Sequence, residues 1–131
     1  MYVMNQVFKS HHPIRHVKSF GHAFEGIFHA LLNEPNFRVQ IIIAVLSVIL
    51  GYHFKISNTE WAILTLSNGF LLSAEMLNTV VEEFIDNLIK EESPAVKIIK
   101  DLTAGFVLTT AITALIIFML IFGHRLPSLL N

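Results

Sequence analysis

Four polar side chains recur at helical spacing in the middle of the chain: Glu75, Asn78, Glu82 and Asp86. Steps of three, four and four residues put them on nearly one face of a helix about 16 Å long, at 1.5 Å per residue. Carboxylates this close repel unless a cation or proton lies between them, and oxygen ligands favour a hard ion such as magnesium. Because loosely held magnesium normally shares its coordination with substrate phosphates, this face predicts a nucleotide as partner.

Glu75 is the unusual member of this face because the residues just before it, LLSA, are largely apolar. A carboxylate inside a membrane costs roughly 3 kcal/mol on insertion scales, so we expect a functional reason for it. The structural alternative is a Glu that is protonated, or paired near the interface. For Glu82 and Asp86 the alternative is an ordinary charged helix end that emerges into the cytoplasm.

A second pair of charges, Lys100 and Asp101, stands just before an uncharged run of 21 residues at 102–122. The lysine could meet a phosphate, although a charge pair at a helix start on the membrane surface would look the same. Neither GxxxxGK[ST] nor GxGxxG is present in the sequence. A bound phosphate would therefore be held by side chains and metal rather than by a glycine loop.

The elements that carry these residues are strongly apolar. Of 131 residues, 53% are hydrophobic and only 15% are charged, which favours a membrane protein over a small soluble domain. A net charge of −1 offers no basic field for nucleic acid, and the absence of cysteine removes disulfides and thiolate sites. The first twenty residues lack a signal-peptide pattern, so we expect internal segments to direct insertion.

Three stretches predict transmembrane helices, at about 37–55, 60–85 and 100–122. The first has sixteen uncharged residues, short of the usual 20, but the flanking Arg38 and Lys55 can snorkel. Before them, apolar residues such as Phe20, Phe24 and Phe28 recur on one face and predict an amphipathic helix at about 17–34. We expect this helix to lie in the membrane interface; a soluble amphipathic helix is the alternative.

The basic residues predict the orientation of these spans. Seven of the nine precede or open the first span or lie between the second and third, and only Lys55 and Arg125 lie on the other side. The positive-inside bias then places the N-terminus and the loop at about 83–99 in the cytoplasm. Because no repeat, low-complexity stretch or linker divides the chain, residues 1–131 are expected to form a single membrane-embedded domain.

Three segments, LLNEPNFR (31–38), AEMLNTVVEEFID (74–86) and IKDLTAG (99–105), occur in this order between the predicted spans. Together they resemble the prokaryotic diacylglycerol kinase family, which includes the undecaprenol kinases, over roughly residues 15–122. The resemblance implies a lipid kinase of the bacterial cytoplasmic membrane that uses ATP and Mg²⁺ to phosphorylate the hydroxyl of a membrane lipid alcohol. It further implies an all-α homotrimer of three-span subunits with an interfacial N-terminal helix, whose active sites are shared between subunits.

The resemblance also assigns roles to individual residues. Glu75 would be the general base on the lipid hydroxyl, and Glu34 and Glu82 would hold magnesium together with the ATP phosphates. The nucleotide-binding residues that it implies are Arg15, Lys18, Asn78, Lys100 and Asp101. Asn33 and Arg38 fit the motif around Glu34 and are expected at the lipid substrate.

Three residues depart from the family pattern: Val80 within NTVVE, Ser93 before Pro94, and Phe106 after the Ala-Gly pair. They bear on helix packing and on the shape of the lipid cleft rather than on a catalytic group. The segments FKISNTEW and VKSFGHAFEGI resemble the undecaprenol-type members and favour undecaprenol slightly over diacylglycerol.

Two other kinds of protein remain open on the residues alone. A small ion- or proton-coupled transporter would also carry an intramembrane Glu, but it would not need Lys100, Asp101 or carboxylates confined to the cytoplasmic end. A scaffold or hole-forming protein without chemistry would leave the regular spacing from Glu75 to Asp86 unexplained.

Overall fold

The computed structural model describes residues 13–89, 91 and 93–129, with side chains from residue 18 to residue 128 apart from the two gaps. These residues form the helices α1 (Pro13–Asn33), α2 (Pro35–His53), α3 (Asn58–Leu88) and α4 (Pro94–Phe122), followed by a 3₁₀ turn at Leu126–Leu129. None of the described residues lies in a strand. The all-helical class predicted from the sequence is therefore confirmed over this part of the chain.

The chain divides into two compact units, one that ends at Asn33 and one that begins at Glu34. The first unit contains α1, which begins at Pro13, four residues before the predicted start. Proline is favoured in the first turn of a helix because its missing N–H needs no partner there. The apolar face of α1 is largely exposed, with Phe20, Phe24 and Phe28 each more than half accessible. Its place in the membrane interface stays a prediction.

In the second unit, local signals in the sequence set the start of each helix. Glu34 is the N-cap residue of α2, and Pro35 follows it. Ser57 and Glu60 form a reciprocal capping box at the start of α3, with the Ser57 backbone N–H donating to Glu60 Oε2 over 2.8 Å. Ser93, one of the departures from the family pattern, caps α4 by accepting from the Val96 backbone N–H. The capping bonds of Ser57, Glu60 and Ser93 satisfy backbone groups that a helix start otherwise leaves unpaired, whereas Glu34 makes no side-chain capping bond.

The apolar core of this unit lies where the α2–α3 turn meets the end of α4. Its buried residues are Ile56, Leu64, Ile121 and Phe122. Gly51 lets the indole of Trp61 approach α2, because a Cβ there would lie 2.6 Å from the ring. Arg125 Nη1 donates to Glu60 Oε1 over 2.8 Å and also contacts the carbonyl of Ile121, which ties the end of α4 to the start of α3.

Two of the described helices, α2 and α4, are long and apolar enough to cross a membrane by length and composition. With 31 residues α3 is longer than either, but Asn68, Glu75 and Asn78 interrupt its apolar surface. Large apolar side chains also cover the outer surfaces of α2 and α4; Leu46, Ile49 and Leu120 are each more than half exposed. The helices fit an all-α membrane protein, and the three-span arrangement stays a prediction.

Candidate functional site

Glu75 lies at the centre of the candidate site. Its side chain is almost completely buried, with 2% of the residue exposed. Its Oε2 atom accepts a hydrogen bond of 2.9 Å from Nε2 of Gln40 on α2. Among the described residues no cation forms an ion pair with it. A neutral amide does not compensate the charge of a carboxylate, and an uncompensated buried charge is costly in a structural role and useful in a base.

A second polar contact between the same two helices fixes their register. Asn68 Nδ2 donates to the hydroxyl of Ser47 over 2.9 Å, and Ser47 is buried. Ser47 follows Gln40 by seven residues in α2, and Asn68 precedes Glu75 by seven residues in α3. The two helices are therefore antiparallel, with matched polar contacts two helical turns apart.

The same register places two further carboxylates at one level. Glu34, the N-cap residue of α2, precedes Gln40 by six residues, and Glu82 follows Glu75 by seven. At 1.5 Å per residue, both stand about 9 to 10 Å along the helices from the Gln40–Glu75 contact, in the same direction. Each is half-buried. This arrangement supports the assignment of Glu34 and Glu82 to one site.

Asn78 lies between the levels of Glu75 and Glu82 on the polar face of α3. Its Oδ1 atom is buried and accepts no hydrogen bond from any described residue. A buried acceptor without a donor costs about 1–3 kcal/mol, so a partner is expected when the protein functions. An amide oxygen can accept from a ligand donor or coordinate a hard cation.

An open cleft of about 900 Å³ lies where the end of α3 meets the start of α4. Both Lys100 and Asp101, predicted as nucleotide-binding residues, line it. Lys100 Nζ donates to Asp86 Oδ1 across the two helices over 2.5 Å. Lys97 Nζ and Asp101 Oδ2 are 3.2 Å apart one turn along α4. The cleft is thus lined by charges of both signs, and its lysines could exchange a carboxylate partner for a phosphate.

The other predicted site residues are not brought to this cleft by the contacts that the structure describes. Lys18 is exposed on α1, and Asn33 donates to the backbone carbonyl of His29 one turn earlier over 2.9 Å. The side chain of Arg15 lies outside the described part of the chain. Arg38 is exposed on the first turn of α2. The assignment of these four residues to the site stays a prediction.

A magnesium site was predicted from oxygen ligands alone. Among the described residues no group of three or more His, Asp or Glu side chains is arranged to hold a metal ion. A pair of carboxylates that shares the ion with phosphates needs no such group, because magnesium usually keeps few protein ligands. Asn78 Oδ1, which has no partner among the described residues, lies next to the level of Glu34 and Glu82 and fits a hard cation that arrives with a nucleotide.

Sequence reasoning did not single out Gln40, although a signal for it was present. Polar residues are rare in α2, yet Gln40 and Ser47 stand seven residues apart, as do Asn68 and Glu75 in α3. Equal polar spacing in two successive apolar helices indicates that the four side chains share an interface. Asp86 was placed on the polar face but not among the site residues, and the structure pairs it with Lys100.

A buried carboxylate with no ion-pair partner among the described residues, together with a cleft of mixed charge, fits a membrane-embedded enzyme. The chain belongs to the prokaryotic diacylglycerol kinase family, whose model matches residues 21–122. It is therefore a lipid kinase and a bacterial membrane protein, as the sequence predicted, and membership of a kinase family implies a nucleotide as phosphoryl donor.

Individual relatives agree with this family. An undecaprenol kinase of Bacillus subtilis (strain 168) is 37% identical over 112 residues, which cover 86% of this chain and 91% of that protein. A diacylglycerol kinase of Synechocystis sp. is 30% identical over 100 residues, 76% of this chain and 57% of that protein. The diacylglycerol kinase of Escherichia coli (strain K12) is 25% identical over 111 residues, 84% of this chain and 91% of that protein. Since these relatives are kinases, the transporter alternative gains no support.

Proposed function

We propose that this lipid kinase transfers the γ-phosphoryl group of ATP directly to the hydroxyl of a membrane lipid alcohol, with undecaprenol slightly favoured over diacylglycerol. The relative named undecaprenol kinase, 37% identical over most of both chains, supports this preference. Relatives named diacylglycerol kinase keep diacylglycerol as the second candidate. Both lipids present one hydroxyl at the membrane surface, so the same phosphoryl-transfer chemistry serves either.

The buried Glu75 carboxylate carries this proposal. It takes the proton of the lipid hydroxyl while the hydroxyl oxygen forms a bond to the γ-phosphorus. The bond from that phosphorus to the bridging oxygen breaks, and ADP leaves with the electron pair. At 1.5 Å per residue, Glu75 lies roughly 10 Å deeper in the membrane than the proposed metal ligand Glu82. This depth suits a base that acts on a lipid hydroxyl, because the hydroxyl cannot leave the bilayer.

The charged residues nearer the cleft would hold the nucleotide. Glu34, Glu82 and Asn78 offer oxygen ligands for Mg²⁺, which when bound neutralises charge on the transferring phosphates. Lys100 would exchange part of its contact with Asp86 for a phosphate oxygen, and Asp101 would face the rest of the nucleotide. Phosphoryl transfer depends mainly on such positioning and charge neutralisation.

We assign the remaining residues and the assembly by the resemblance to the family. Arg15 and Lys18 would add positive charge near the phosphates, and Asn33 and Arg38 would contact the lipid. We propose a homotrimer in the bacterial cytoplasmic membrane, with each site completed by a neighbouring subunit. The exposed apolar side chains of α2 and α4 and the distribution of basic residues support three spans with the N-terminus and the second inter-helix loop in the cytoplasm.

Labelling of lipid by purified protein tests this function. The full chain in mixed micelles receives ATP labelled at the γ-phosphate, Mg²⁺, and equal amounts of undecaprenol and dioleoylglycerol. Label in an organic-extractable phospholipid supports the kinase, and more label in undecaprenyl phosphate supports the stated preference. Preference for dioleoylglycerol would reverse the substrate assignment, and absence of label from both lipids would contradict the proposed reaction.

A further inference from the structure

Among the described residues, Gln40 is held at one end of its amide group and not at the other. Its Nε2 atom donates to Glu75 Oε2 over 2.9 Å. Its Oε1 atom is buried and has no hydrogen-bond partner among the described residues. A buried amide that leaves its acceptor unpaired is unfavourable unless the acceptor is used at another stage. This oxygen therefore indicates that Gln40 accepts a hydrogen bond at another stage of the reaction.

A base on a flexible side chain needs a neighbour that fixes it. A Glu carboxylate can rotate about three side-chain torsions, whereas proton abstraction requires hydrogen-bond distance to the substrate hydroxyl. An error of about 1 Å in such geometry can cost a hundredfold in rate. Gln40 lies on the neighbouring helix and contacts one carboxylate oxygen, which leaves the other oxygen of Glu75 available to a substrate. As a neutral donor it fixes the carboxylate without cancelling its charge, which a lysine or arginine would do.

We propose that Gln40 is the positioning residue for the base and stays paired with Glu75 before and after proton transfer. Gln40 Nε2 donates to Glu75 Oε2 in the structure, and this bond would hold the ionised base. When Glu75 has taken the proton of the lipid hydroxyl on its other oxygen, a half-turn of the amide together with the carboxyl group brings the new O–H to Gln40 Oε1, which accepts from it. No described residue holds Oε1 in place, so this turn breaks a single hydrogen bond. The inference rests on the proposed role of Glu75.

The chain offers a matched control for this contact. The bond from Asn68 Nδ2 to Ser47 Oγ has the same length of 2.9 Å and joins the same two helices. It lies two helical turns from Gln40 and Glu75, on the side away from Glu82. Removing it with Asn68→Leu should loosen the α2–α3 contact as much as Gln40→Met does, without touching the base. The two variants therefore separate helix packing from positioning.

Steady-state kinetics on the purified full chain, with ATP and a lipid alcohol in mixed micelles, tests the proposal. For Gln40→Met we expect kcat to fall by about ten- to a hundredfold, the range that a hydrogen bond to a charged group supplies. The KM for ATP should change by less than about threefold, because the nucleotide residues are untouched. For Asn68→Leu we expect kcat within about threefold of the parent.

A double-mutant cycle distinguishes positioning from a general loss of structure. Once Glu75→Gln has removed the base, adding Gln40→Met should lower kcat no further, because a positioning residue acts through the base. Full additivity, or equal losses of kcat in Gln40→Met and Asn68→Leu, would overturn the proposal. If Gln40→Met fails to assemble, the apolar variant Gln40→Leu also removes the donor and carries the same test; failure of both while Asn68→Leu assembles would assign Gln40 to folding and also overturn the proposal.

The cycle separates this inference from the proposed function on which it rests. Near-parental turnover in Glu75→Gln would refute the base itself. A large loss in Glu75→Gln together with parental kcat in Gln40→Met would leave the base in place and refute only the role of Gln40.

Discussion

Replacing Glu75 by Gln removes a negative charge from a buried position and keeps the length and volume of the side chain. If Glu75 is the base, turnover should fall by about 10² to 10⁴, the usual contribution of general-base catalysis. The affinity for ATP should change by less than a few fold, because the proposed nucleotide residues lie toward the cleft. We also expect the stability of the Glu75→Gln variant to rise while its activity falls.

The expected change in stability follows from the surroundings of Glu75. A charged carboxylate at membrane depth costs roughly 3 kcal/mol on insertion scales, and Glu75 is only 2% exposed. Against this, the bond from Gln40 weakens from a charge-assisted to a neutral one, a loss of roughly 1 to 1.5 kcal/mol. The Glu75→Gln variant should therefore gain about 1.5 to 2 kcal/mol in its free energy of unfolding in detergent, the difference between these two contributions.

Three measurements check the Glu75→Gln prediction: lipid phosphorylation, equilibrium binding of ATP, and unfolding in detergent. Glu83→Gln is the matched control, because Glu83 is exposed, points away from the Glu75–Glu82 face and bonds to Asn87 over 2.8 Å. It should be nearly silent in all three assays. Turnover of Glu75→Gln within a few fold of the parent would show that Glu75 is not the base. A loss of stability would contradict the reasoning about the buried charge.

Three further predictions concern orientation, metal and packing. An Asn58→Cys variant, the single cysteine of the chain, should react with an impermeant thiol reagent from outside; labelling only after lysis would reverse the orientation. Glu34→Gln and Glu82→Gln should raise the magnesium requirement or abolish turnover without changing the oligomeric state, and unchanged metal dependence in both would remove the metal site. Gly51→Ala should lose about 1–3 kcal/mol of unfolding free energy by overpacking, because its new methyl would meet the indole ring. Gly69→Ala, which has open space, should not; equal stabilities would refute the packing argument.

Much of the secondary structure could be predicted from the sequence because its signals are local. Apolar runs, prolines at helix starts and serine caps act within a few residues. The predicted spans at about 37–55, 60–85 and 100–122 each fall largely within a helix of the structure. The boundaries differ by up to six residues, most at the start of α4, where Ser93 and Pro94 begin the helix before the uncharged segment.

The pairings within the candidate site could not be predicted in the same way. Gln40 and Glu75 are 35 residues apart, and their contact depends on the antiparallel register of α2 and α3. Lys100 was expected to face a phosphate, and its contact with Asp86 depends on how the end of α3 packs against the start of α4. Single-sequence patterns give the face of a helix but not which neighbouring helix meets it, or at what level.

The sequence by itself determined that the chain is an apolar helical protein with acidic groups on one face of a helix, because both properties arise from composition and spacing along one segment. The same spacing, with Lys100 and Asp101 after it, carried the resemblance to a lipid kinase family. Only the tertiary structure decided that Glu75 is buried against Gln40 and that Lys100 meets Asp86. It alone also shows that Asn78 and Gln40 each keep an oxygen without a partner among the described residues. These features depend on how helices distant in sequence pack, since burial and partners are properties of the contact between them.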